Sequence, residues 1–195
     1  MTSSKKVKVA VYSGSNEENV AGLIKEIMGR MSDCVAEVKF VPLPYNVSDM
    51  LKMKLDKKYY MLLCHSIENR RFSITNVTDA LYDDFLRKAK KKLGRRNVGV
   101  IAHDFESAEL SPERLESRME SFRNTQERTF RKSILQLIGG KLSESPVELN
   151  SDQWEELGNY FRNKLKKPKP KPRPAEPKMQ MALPCLCARG TRTEQ

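Results

Sequence analysis

Apolar and polar positions along this chain switch repeatedly between two periods, and the switches lay out an alternation of strands and helices. Val7 to Tyr12 predicts a strand, followed by a turn, Ser13-Gly14-Ser15-Asn16. Val20, Leu23, Ile24, Ile27, Met28 and Met31 then fall at i, i+3, i+4, i+7, i+8 and i+11, the apolar stripe of an amphipathic helix. Val35 to Val41 predicts a second strand, closed by Pro42 and Pro44. Its charges Glu37 and Lys39 alternate with apolar residues, as on a sheet edge with one wet face. Residues 46–58 predict a short helix.

Tyr60 to Cys64 and Val98 to Ala102 are continuous apolar runs, the pattern of strands covered on both faces. Between them Leu81, Phe85, Ala89 and Leu93 recur every four residues, which predicts a helix over Val77–Leu93. Ser111-Pro112-Glu113 is a helix start, with a hydroxyl cap, a first-turn proline and an acid at the positive end of the dipole. The helix is expected to reach Leu137 or Ile138 before Gly139-Gly140, with a bend in its polar middle, Arg123 to Thr129. An edge strand is expected within Leu142–Leu149, where Pro146 argues against a central place. A last helix begins near Ser151 and turns Trp154, Leu157, Phe161 and Leu165 inward.

Strands alternating with helices imply right-handed crossovers and an open parallel sheet, here in the order 2-1-3-4-5 within a three-layer α/β domain. This alternation over roughly residues 5–165 resembles the flavodoxin-like architecture, and equally the three-layer arrangement of the TIR signalling domain. In such sheets ligands bind beyond the carboxyl ends of the strands, where the strand order reverses. The loop Ser13-Gly14-Ser15-Asn16 leaves the first strand there, and its position resembles the phosphate loop of flavodoxins. Glu17 and Glu18 follow at once and would repel a phosphate, and no aromatic pair is evident to hold an isoalloxazine ring. FMN is therefore not expected, nor is another cofactor or a metal. A TIR-type NAD hydrolase needs a glutamate in the region where Glu68 stands. No TIR motif surrounds Glu68, so that activity is not carried over.

The two histidines of the chain directly follow predicted strands: His65 after the third, His103 after the fourth, with Asp104 next to it. If those strands pair, both imidazoles reach the sheet edge that carries Ser13, Gly14, Ser15 and Asn16, the placement a general base needs. Arg70 and Arg71 follow on the same loop as His65 and suit a phosphate or carboxylate. Cys64, at the end of an apolar strand, is expected to be buried and inert.

The chain changes character at Lys164. Residues 1–163 read as the folded domain and residues 164–195 as a disordered, basic, proline-rich tail. The whole chain carries +11; the tail has nine cations against two acids, a net of +7, which leaves +4 for the domain. Lys171, Pro174 and Pro177 fit the +xxPxxP pattern of SH3 ligands in a polyproline II stretch. The run from Lys166 to Arg173 also reads as a nuclear localisation signal. Cys185 and Cys187, beside that basic stretch, suit dual acylation at an anionic membrane, and the terminal Arg-Thr-Glu-Gln excludes prenylation. Arg87, Lys90, Lys91, Lys92 and Arg95 on the helix before the fourth strand offer a contact for nucleic acid by charge alone, without interleaved aromatics. Four cysteines without zinc spacing, no apolar run of membrane-spanning length and no signal peptide point to the cytosol, with membrane association or the nucleus as alternatives.

These readings lead to a non-enzymatic signalling or adaptor protein whose tail recruits an SH3-type partner or an anionic membrane. The alternative is a small-ligand binder or enzyme using His65, His103 and the Ser13–Ser15 loop. Nucleic-acid binding is a third class.

Overall fold

A computed structural model describes residues 6–68, 72–76 and 80–165. Five parallel strands lie in the order β2-β1-β3-β4-β5: β1 Val7–Ser13, β2 Val35–Pro42, β3 Tyr59–Ser66, β4 Val98–His103 and β5 Leu135–Ile138. Helices α1 (Ala21–Arg30) and α6 (Ser151–Phe161) cover one face; α2 (Val47–Lys52), α3 (Asp83–Leu93), α4 (Pro112–Thr125) and α5 (Glu127–Lys132) cover the other. This is the flavodoxin-like α/β sheet that the strand–helix alternation predicts.

The two faces follow from strand periodicity. Val9, Val11, Leu62, Cys64, Ile101, Leu135 and Leu137 point to α1 and α6, where Leu23, Ile27, Leu157 and Phe161 meet them. Ala10, Tyr12, Met61, Leu63, Val98, Val100 and Ala102 point the other way, toward Met50, Phe85, Leu86 and Phe122. β3 and β4 are buried along nearly their whole length because each has a strand on both sides and a helix layer on both faces. β2, with one strand neighbour, stays half exposed.

The fifth strand corrects the sequence expectation. The helix begun at Pro112 ends at Thr125, and Gln126 separates it from α5. Leu135–Ile138 is a strand and not a helix end, because its leucines slot into the core beside Gly99 and Ile101. Residues 142–149, expected as an edge strand, form no strand. They dock on α1 instead: Gly22 N donates to Ser143 O at 3.0 Å and Leu23 N to Leu142 O at 3.0 Å. Buried Glu26 accepts from Ser145 Oγ and Val147 N. Gly22 permits this approach, since a Cβ there would lie 2.3 Å from Glu144 O.

The helix expected over Val77–Leu93 begins at Asp83; residues 77–79 lie outside the described residues. Leu81 and Tyr82 precede it, and Tyr82 N donates to Ile74 O. Gln126 fixes this region from below. Its Oε1 accepts from Ile74 N at 2.7 Å and Thr75 N at 3.0 Å, and its Nε2 donates to Phe72 O at 2.8 Å. One buried amide thus satisfies three backbone groups of a segment that has no sheet partner. α6 is held at its start by a capping box between Asn150 and Gln153.

Candidate functional site

The strand order reverses between β1 and β3, and the connections leaving these two strands part there. A cavity of about 310 Å³ opens at that point. Its wall is built from Gly14, Ser15 and Asn16 after β1, Tyr45 after β2, His65 and Ser66 at the end of β3, and Tyr82 before α3. Asn19, Pro44, Cys64 and Leu81 complete it. Tyr45 stands 79 % exposed at the rim, while His65 is only 3 % exposed and Tyr82 is buried.

His65 and Tyr82 form the deep wall. Their rings meet edge to face with centroids 5.5 Å apart, and His65 Nδ1 lies 3.5 Å from the Tyr82 hydroxyl. That hydroxyl also backs onto Gly14, where a Cβ would sit 3.6 Å away in ordinary contact. Ser13 is buried beneath the loop. Its Oγ accepts from Ser15 N at 3.1 Å, and its carbonyl accepts from Leu43 N at 2.7 Å. Ser13 therefore shapes the turn from which Gly14, Ser15 and Asn16 reach the cavity.

His103 lies elsewhere. In the β3–β4 register His65 pairs with Ala102, and Ser66 pairs with His103. Ser66 and His103 thus share the face of α1 and α6, and His65 points to the other. His103 is 0 % exposed, with Nδ1 3.1 Å from Asp104 Oδ2, and its Nε2 has no hydrogen-bond partner among the described residues. Asp104, at a left-handed φ of 70°, turns its carboxylate back under the strand ends, where Ser66 Oγ donates to the same Oδ2. Burial would raise the Asp104 pKa, but the His103 ring, the Ser66 hydroxyl and the Lys141 charge outweigh it and hold the carboxyl below its ordinary value.

The order of these contacts matters chemically. In a serine hydrolase the imidazole stands between hydroxyl and carboxylate, so that it can take the hydroxyl proton. Here the carboxylate stands between, so Ser66 is not activated by His103. Cys64 is fully buried, and burial pushes its thiol pKa far above the ordinary value, which leaves no thiolate. Among the described residues no three His, Cys, Asp or Glu side chains gather to hold a metal ion.

Among the described residues, the cavity lining carries no ammonium, guanidinium or carboxylate group. Glu17 and Glu18 sit exposed immediately after Asn16. Gly22 N and Leu23 N, in the first turn of α1 and outside the cavity lining, donate to Ser143 O and Leu142 O. The cavity instead offers hydroxyl, amide and imidazole groups beside two aromatic rings.

Arg70 and Arg71 lie outside the described residues, as do Lys171, Pro174, Pro177, Cys185 and Cys187. The cavity residues that the sequence did not mark as site candidates are Asn19, Pro44, Tyr45, Cys64, Ser66, Leu81 and Tyr82. Ser66 was recoverable as the neighbour of His65; Tyr45 and Tyr82 arrive from connections whose path no periodicity encodes.

No protein-family model matches this chain, and neither does any curated protein or solved structure.

Proposed function

We propose that this chain binds a small, uncharged, planar polar molecule of about nucleoside size in the cavity between β1 and β3. The observation that carries this reading is the convergence of His65, Ser66, Tyr82 and the Gly14–Asn16 loop on one cavity where the strand order reverses. At about 310 Å³ the cavity sits at the small end of ligand sites. Aromatic faces favour a flat molecule, and the polar groups between them fix its orientation. The neighbouring Glu17 and Glu18 disfavour a phosphorylated one.

The test is a thermal-shift series on the full chain with four nucleosides and their 5′-monophosphates, beside native mass spectrometry of the freshly purified protein. A nucleoside is expected to raise the melting temperature, and its monophosphate to do less. Stabilisation by the monophosphate alone, or a retained flavin nucleotide, overturns the reading.

A second reading, a signalling adaptor that recruits an SH3-type partner through Lys171, Pro174 and Pro177, is favoured by where the chain leaves the domain. α6 ends against Tyr60 at the start of β3, so the described chain ends at the edge opposite the cavity. A ligand and a partner can then be held together. Capture by an SH3 panel that is lost in Pro174→Ala/Pro177→Ala supports it; equal capture of that variant removes it.

A further inference from the structure

We propose that the edge of the domain where the strands begin is a docking surface for an anionic phospholipid bilayer. The topology concentrates charge there. In a parallel sheet with helical crossovers, strand starts and helix ends share one edge. Lys57 and Lys58 precede β3, Lys90, Lys91 and Lys92 end α3, and Arg96 precedes β4. All six are exposed, and none forms an ion pair among the described residues.

The nearby acids are mostly engaged. Glu37 pairs with Lys8 and Asp33 with Arg162, while Asp56 accepts from the Lys58 backbone and keeps its charge. Lysines in a last helical turn complement the helix dipole, but that dipole amounts to only about half a charge. Six cations on one edge exceed what it requires.

The last described residues lie at the same edge. Tyr160 and Phe161 meet Tyr60 with ring centroids 5.4 Å and 6.4 Å apart, and Leu165 packs on the core. Lys166, Lys167, Lys169, Lys171 and Arg173 follow within eight residues of Leu165. At the opposite edge, beside the cavity, the described residues after the strands include Glu17, Glu18, Glu106 and Glu144 together with Lys141. The cavity thus faces away from the cationic edge.

A bilayer fits this edge better than a nucleic acid does. No exposed aromatic ring lies among the six cations to stack a base. Beyond the basic run the sequence turns apolar, Met179 to Cys187, which suits an acyl interface. The inference is independent of the cavity and extends the tail reading to the folded body, so the experiment separates body from tail.

Full-length protein is sedimented with vesicles of phosphatidylcholine alone and of phosphatidylcholine containing about 30 % phosphatidylserine, over a salt series. The expected result is binding to the anionic vesicles only, falling as salt rises. Replacing Lys57, Lys58, Lys90, Lys91 and Lys92 by Gln, with the tail intact, is expected to weaken partition at least about tenfold at an unchanged melting temperature. Lys57→Gln/Lys58→Gln alone, the fallback should the fivefold variant misfold, is expected to weaken it about threefold. A Gln variant of Lys166, Lys167, Lys169 and Lys171 tests the tail separately. The inference falls if the body variants partition like the wild type, if neutral vesicles bind equally, or if a 20-base-pair duplex strips the protein from the vesicles.

Discussion

His65 and His103 end neighbouring strands yet point to opposite faces of the sheet, because the register sets His65 beside Ala102 and His103 beside Ser66. The two imidazoles therefore serve different ends. His65 lines the cavity with Tyr82, and His103 fills the core end beside Asp104, whose carboxylate separates it from Ser66. Replacing each by Ala is expected to separate these roles. His65→Ala should weaken ligand binding about tenfold, the value of one hydrogen bond, with a small change in melting temperature. His103→Ala should leave affinity nearly unchanged but lower stability by about 2 kcal/mol, or roughly 4–8 °C. Thermal melts and titrations of both variants check this.

Two glycines of α1 should respond with opposite sign to the same substitution. Gly29 is exposed, and a Cβ there meets nothing within 4 Å. Gly29→Ala is therefore expected to stabilise by about 0.5–1 kcal/mol through helix propensity. Gly22→Ala gains the same propensity but drives its methyl into the backbone of Glu144, 2.3 Å from the carbonyl oxygen. It should displace residues 142–147 and cost about 2–4 kcal/mol. Denaturant melts of the pair decide; equal effects would show that the 142–147 segment does not press on α1.

Gln126 is expected to control the order of the segment that leads to Tyr82. Gln126→Ala leaves the buried amides of Ile74 and Thr75 without their acceptor. A loss of about 2–3 kcal/mol is expected, with faster amide exchange over residues 72–76. Ligand affinity should fall as well, because Tyr82 N bonds to Ile74 O.

Asp83 gives the protein a defined acid response. Lys132 Nζ donates to its Oδ1 and to its backbone carbonyl, each at 2.8 Å, in a pair that is mostly buried. Burial works against the charged carboxyl, but Lys132, the Asn76 amide and Arg128 prevail and hold the pKa below 3.8. A lowered folded-state pKa means that the unfolded chain binds the proton first. The stabilisation is present above the unfolded pKa and lost as pH falls through the folded one. Stability should drop below about pH 4, and Asp83→Asn should flatten that slope by up to about 1.4 kcal/mol per pH unit. Chemical denaturation between pH 2 and 6 measures both.

The sheet was legible in the sequence where burial is two-sided. The runs at Tyr60–Cys64 and Val98–Ala102 carry the pattern of central strands, and the stripe from Val20 to Met31 that of an amphipathic helix. The last strand was not, because Leu135, Leu137 and Ile138 continue a spacing that a helix also satisfies and the strand is four residues long. Nor was the parity of the histidines. Both directly follow a predicted strand, but a one-residue offset in pairing turns a side chain to the other face, and pairing is a long-range property. The cavity was half legible: its strand-end residues could be placed by topology, whereas Tyr45 and Tyr82 depend on how two connections fold back.

The most direct test of the cavity is an amide NMR titration of the full chain with uncharged nucleosides and their monophosphates. Shifts confined to Gly14–Asn16, His65, Ser66 and Tyr82, saturating with the nucleoside and weaker with the monophosphate, are the expected result. No response there to any uncharged compound at millimolar concentration, or a response to the monophosphates alone, would contradict it.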